Sequence, residues 1–150
     1  QVGTTYAISG YTSLCYLPDD DCILRGNNGG TAWAVIDCAT GTRYTPTFSG
    51  TVAGALRPGS CQTRWVPSLG AVCAWDNSAD TTLITRLTPG ANPRTDAWTI
   101  DTITVSGANA VTPTVRATNG TYGRFAYSPN LGGFVLLNAT NQSLYFFALT

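Results

Sequence analysis

Apolar positions along this chain fall in short runs, each stopped by a polar or glycine-proline turn. The runs at 71–75 and 134–137 are apolar without alternation, which predicts strands covered on both faces. The run at 98–105 alternates apolar and polar, as a strand with one wet face does. Its alternation slips once, at Asp101-Thr102, which predicts a β-bulge there. No run has the length or period of a long amphipathic helix.

The runs repeat. The segment from Arg64 through Trp65-Val-Pro-Ser-Leu-Gly70 to Thr88 aligns with the segment from Phe125 through Tyr127-Ser-Pro-Asn-Leu-Gly132 to Thr150. With Pro67 placed on Pro129, the remainder aligns without a gap. A looser copy stands upstream: Leu14-Cys-Tyr-Leu-Pro18, then Cys22-Ile-Leu-Arg25, the Asn27-Asn-Gly-Gly30 turn and Ala32-Trp-Ala-Val-Ile36. The three prolines lie 49 and 62 residues apart, a spacing that suits propeller blades. Each unit also has an opening strand that starts on an aromatic residue and stops at Ser-Gly, at 6–10, 44–50 and 98–107. Turns of similar design, at 37–41 and 92–96, precede the second and third of these. The predicted fold is therefore all-β: three four-stranded antiparallel propeller blades near 1–40, 41–94 and 95–150. Gly70, Gly132 and Gly133 are placed at hairpins that call for positive φ.

Composition agrees and removes several functions. All eight basic residues are Arg and all eight acidic ones are Asp; Lys, Glu, His and Met are absent. The net charge is zero and the arginines are scattered, which argues against nucleic-acid binding. No apolar run reaches the roughly 18 residues of a membrane span. No signal peptide is visible, and the first residue is Gln, which reads as a processed or truncated chain.

Asp37-Cys-Ala-Thr-Gly-Thr-Arg-Tyr44 resembles the turn between blades in kelch and galactose-oxidase-type propellers. The stretch from Gly120 to Asn138 is similar to the closing blade of large extracellular propeller proteins. The resemblance implies an extracellular propeller fold. It implies no activity, because propellers host many unrelated functions. Three blades do not close a ring of the usual four to eight or so. Two sheet faces built for burial would stay open, so the first expected partner is further blades, from a longer chain or from identical copies.

Five cysteines, with no His and no CxxC pair, favour disulfides over zinc and hence an oxidising compartment. The expected pairs are Cys15–Cys22 and Cys61–Cys73, with Cys38 left over; the competing scheme ties Cys22 or Cys61 to Cys38. Asn119, Asn138 and Asn141 begin glycosylation sequons. Asp19-Asp20-Asp21 supplies oxygen ligands of the kind Ca²⁺ takes, against the plainer reading of a solvated hairpin tip; no other cofactor is implied. Trp33, Trp65 and Trp75 are candidate sugar-stacking platforms if exposed, or wedges between blades if buried. Arg64 and Arg124 are candidate carboxylate binders. Only Asp, Tyr and Cys remain for acid–base chemistry, so catalysis is the weaker hypothesis. The favoured function is a secreted, non-catalytic propeller module for glycan recognition or extracellular assembly. The alternatives are the C-terminal part of a carbohydrate-active propeller enzyme, or a subunit of an extracellular filament or virion surface.

Overall fold

The computed structural model describes residues 12–27, 33–50, 62–75, 83–104, 113–114, 121, 124–138 and 141–149. These residues form an all-β protein. Its strands are β1 (Thr12–Leu17), β2 (Cys22–Asn27), β3 (Trp33–Asp37), β4 (Arg43–Tyr44), β5 (Phe48–Ser49) and β6 (Gln62–Val66). They continue with β7 (Ala71–Trp75), β8 (Leu83–Thr88), β9 (Trp98–Thr104), β10 (Phe125–Ser128), β11 (Gly133–Leu136) and β12 (Tyr145–Ala148). No helix among the described residues is long and apolar enough to cross a membrane.

The strands make three sheets in chain order. The first is β1-β2-β3-β4, the second β5-β9-β8-β7-β6 and the third β10-β11-β12. Every pairing is antiparallel except β5 with β9.

The repeat in the sequence is a repeat of one hairpin. Leu17 pairs with Cys22, Val66 with Ala71 and Ser128 with Gly133, so each hairpin loop holds four residues and begins on a proline. Pro67–Leu69 and Pro129–Leu131 are single 3₁₀ turns. Proline opens each with a fixed φ, and a left-handed residue closes it. Those closing residues are Gly70 at φ 55° and Gly132 at φ 61°. In the first hairpin Asp21 takes the same conformation, at φ 49°. Aspartate tolerates the left-handed region because its short side chain bonds locally. Gly133 has a different reason to be glycine: a Cβ there would run into the Phe147 carbonyl and the Phe146 ring.

The three sheets stack face to face, with β1 beside β6 and β6 beside β10. Between the first and second sheets lie Cys15, Leu17, Cys22, Leu24, Trp33, Val35, Val72, Ala74, Leu87 and Trp98. Between the second and third lie Val66, Cys73, Trp75, Ile84, Phe125, Phe134, Leu136 and Phe147. The second sheet is covered on both faces, which is why all five residues of β7 are buried and why its sequence does not alternate. At the first interface, the Phe48 ring sits edge-on to both Trp33 and Trp98, each at 6.3 Å.

Three expectations differ from what is seen. Among the described residues the sheets hold four, five and three strands rather than four each. The run at 98–104 does not open the third sheet; it joins the second by pairing along all of β8. Likewise β4 pairs with β3 and closes the first sheet. Sequential strands joined by a short connection pair as neighbours. Only nine residues separate β8 from β9, whereas twenty separate β9 from β10. The bulge expected at Asp101-Thr102 is absent, and the register runs unbroken from Thr88–Thr99 to Leu83–Thr104. The alternation slips there because β9 contacts apolar neighbours on both sides, Ile100 against the first sheet and Ile103 against the third.

The gap-free alignment is also corrected. Val72 faces Leu87, whereas its equivalent Phe134 faces Phe147, so the β11–β12 connection is two residues shorter than the β7–β8 one. The opening strand expected at 6–10 lies outside the described residues, as do Cys61 and Asn119.

Candidate interaction surface

Register assigns every strand residue to one of two faces, and the three sheets use their faces in the same way. One face carries the aromatic residue two places before the hairpin proline: Tyr16, Trp65 or Tyr127. In the second sheet this face holds Trp65, Val72, Leu87 and Ile100 and packs on the first sheet. In the third it holds Tyr127, Phe134 and Phe147 and packs on the second. There the Tyr127 hydroxyl lies 3.3 Å from the Ser68 hydroxyl at the tip of the neighbouring hairpin. Phe125 stacks on Phe134 with centroids 4.8 Å apart.

In the first sheet the equivalent face holds Leu14, Tyr16, Ile23, Arg25, Ala34 and Ile36, of which Arg25 and Ala34 are buried. No described sheet covers it. Leu14 is 58% exposed and Tyr16 52% exposed. At the other end of the stack, the face of the third sheet that no described sheet covers carries Ala126, Val135, Phe146 and Ala148. Phe146 is 39% exposed. These two faces are the candidate surface. The first carries two arginines, Arg25 buried and Arg43 exposed, and the register places no charged strand residue on the second.

The sequence candidates fall elsewhere. Trp33 and Trp75 are buried, the first between the first and second sheets and the second between the second and third. They fill the space between layers and offer no ring face to a sugar. Trp65 is half-buried against the first sheet, and its Nε1 has no partner among the described residues. Arg64 donates from Nη1 to the Thr63 carbonyl at 2.7 Å. Arg124 donates from Nε and Nη2 to the Leu137 and Asn138 carbonyls at 2.9 and 3.0 Å. Both arginines thus bind backbone of their own sheet.

Asp19, Asp20 and Asp21 occupy the β1–β2 hairpin loop and do not converge. Asp21 accepts a hydrogen bond from the Tyr16 hydroxyl at 3.0 Å, and Asp20 offers its carbonyl to Arg94. No three His, Cys, Asp or Glu gather to hold a metal among the described residues.

Cys15, Cys22, Cys38 and Cys73 are free thiols. The expected Cys15–Cys22 bond does not form: register sets Cys15 opposite Leu24 and Cys22 opposite Leu17, so the two are diagonal rather than facing. Cys73 faces Arg64, and its expected partner Cys61 lies outside the described residues. Burial pushes the Cys15 thiol up to about 11 and the Cys73 thiol up to about 12. The Asn138 sequon is closed: its side chain is buried and its Nδ2 donates to both the carbonyl and the hydroxyl of Thr114. Asn141 is exposed.

Sequence reasoning missed a joint between the first two sheets. Asp37 opens a turn by accepting from the Thr40 N–H at 2.7 Å and the Thr40 hydroxyl at 2.9 Å. Asn92 opens the matching turn with its own side chain accepting from the Arg94 N–H. Arg94 then reaches across, Nε to Asp37 Oδ2 and Nη2 to the Asp20 carbonyl. The available signal was the like design of the two turns, but nothing in it says that one turn binds the other. Compared with known protein families, curated proteins and solved structures, the chain matches none.

Proposed function

We propose that the chain is a segment of a kelch-like extracellular β-propeller and serves as a non-catalytic assembly module. One observation carries this reading. The face of the first sheet that no described sheet covers, with Leu14 and Tyr16 exposed, is register-equivalent to the faces that the second and third sheets bury against their neighbours. A surface patterned for burial and left exposed calls for a partner that continues the stack. Glycan recognition is the less supported half of the sequence reading, since Trp33 and Trp75 are enclosed. The extracellular setting draws no support from disulfides among the described cysteines and rests on the resemblance and on the exposed Asn141 sequon.

Light scattering on the intact chain tests the reading. The expected result is a mass that is a multiple of 15.8 kDa and falls towards 15.8 kDa on dilution. A strictly monomeric chain at every concentration overturns it.

A further inference from the structure

We infer that the third sheet of one copy packs on the first sheet of a second copy, in the same face order that joins the first sheet to the second and the second to the third. The inference rests on the assembly reading above and names its partner.

The argument is one of continuity. Two interfaces of this kind already exist in the chain, and both obey one rule. The face bearing the aromatic before the hairpin proline meets the opposite face of the sheet before it. Trp65 and Val72 meet the face of Leu17, Leu24 and Val35. Tyr127 and Phe134 meet the face of Val66, Cys73 and Ile84. Like never meets like. The stack leaves one unmatched surface of each kind. Tyr16 and Leu14 are exposed on an aromatic-type face that no described sheet precedes, beside the buried Arg25 and Ala34. Phe146, Val135 and Ala126 stand on a receiving-type face with no described sheet after it.

The residues also correspond by position. Phe146 occupies the place of Arg86 in the second sheet and of Val35 in the first. In the first sheet that place is fully buried, and in the second it is half-buried. Tyr16 occupies the place of Trp65 and Tyr127, both half-buried by the sheet that precedes them. A second copy bringing its Tyr16 face onto the Phe146 face therefore repeats a contact that the chain makes twice on its own. Neither face opposes a carboxylate to a carboxylate, and both expose apolar side chains that gain by leaving water. Because the two faces differ, the contact is heterologous; it closes into a ring if the rotation allows and otherwise continues as a filament.

Two single variants and their mixture test the inference on the full chain. Tyr16→Asp spoils only the aromatic-type face, and Phe146→Asp only the receiving face. Each variant alone is expected to drop to 15.8 kDa by light scattering. An equimolar mixture is expected to return to about twice that mass, because each variant keeps the face the other has lost. Circular dichroism checks that both remain folded, and Leu14→Asp with Ala126→Asp repeats the test on the same two faces if either does not. Dissociation by one variant only means that like faces pair, and overturns the inference. So does a mixture that stays at 15.8 kDa, or two variants that leave the mass of an assembled wild type unchanged. A monomeric wild type brings down the assembly reading itself, so the two failures are separable.

Discussion

Arg94 donates from Nε to Asp37 Oδ2 across 57 residues of chain, with N···O at 2.5 Å, and fastens the turn before β9 to the turn before β4. The contact joins the first sheet to the second near Trp98, whose Nε1 donates to the Pro93 carbonyl at 3.0 Å. The arginine has a second anchor in the Asp20 carbonyl, so three loops meet on one guanidinium. A planar fork with fixed donors suits this task, and a lysine would not fill it.

Removing that guanidinium is expected to loosen the first sheet from the second. Arg94→Lys and Arg94→Leu should each lower the thermal midpoint by a few degrees or so, with Leu the larger change, measured by calorimetry. The Asp37 carboxyl also sets an acid limit. Hydrogen bonds from Thr40, and then the Arg94 guanidinium, hold it down at about 2, below its ordinary 3.8. A depressed carboxyl stabilises the fold fully above its unfolded value and loses that contribution as pH falls through the folded one. The urea midpoint should therefore fall between pH 4 and pH 2, and Asp37→Asn should flatten that limb.

Trp75 fills the layer between the second and third sheets and is fully buried. Trp75→Ala leaves a void that close-packed neighbours cannot fill, at a cost of about 3–5 kcal/mol. Denaturant titration should show it as a lower midpoint with an unchanged slope. Arg86→Ala, which breaks a cross-strand pair with Asp101 on a partly exposed stretch of the same sheet, should cost far less.

The two glycines at the third hairpin should answer differently to alanine. Gly132 has open space around a Cβ and only its left-handed φ to protect, so Gly132→Ala should cost about 1 kcal/mol. Gly133 has ordinary backbone but faces the Phe147 carbonyl and the Phe146 ring. Gly133→Ala must push β12 away and should cost about 1–3 kcal/mol. Equal losses by chemical denaturation would contradict this account.

Thiol accessibility separates Cys38 from the other described cysteines. Cys38 is exposed and should react with a thiol reagent in the native protein, while Cys15, Cys22 and Cys73 should react only on unfolding. Partial burial, followed by the Asp21 carboxylate, pushes the Cys38 thiol up, so its rate should rise above pH 9. The values of about 11 for Cys15 and about 12 for Cys73 lie above their ordinary 9.0. Thiols raised in this way stabilise the fold below pH 9, and the contribution is lost as pH climbs towards 11–12. The denaturation midpoint should decline over that window, and the decline should shrink in a Cys15→Ala, Cys73→Ala double variant.

Expressed in a secretory host, the chain should carry glycan at Asn141 and none at Asn138, whose amide is buried and bonded to Thr114. Peptide mapping by mass spectrometry reads this directly.

Local chemistry and spacing were enough to determine the all-β class and the repeated hairpin. Pro18, Pro67 and Pro129 each start a four-residue loop, because proline presets the first φ and a left-handed residue closes the turn. The unbroken apolar run at Ala71–Trp75 also announced a doubly covered strand. Tertiary structure decided what those signals leave open. Strand ownership was one such matter: β9 could follow its aromatic start into the third sheet or its short connection into the second, and pairing with β8 settled it. Thiol pairing was another, because register rather than distance along the chain sets Cys15 beside Leu24. Exposure was the third. Tyr16, Trp65 and Tyr127 occupy one position in three hairpins, yet only Tyr16 is left exposed, because a side chain's burial depends on which sheet stands in front of it and no local sequence encodes that.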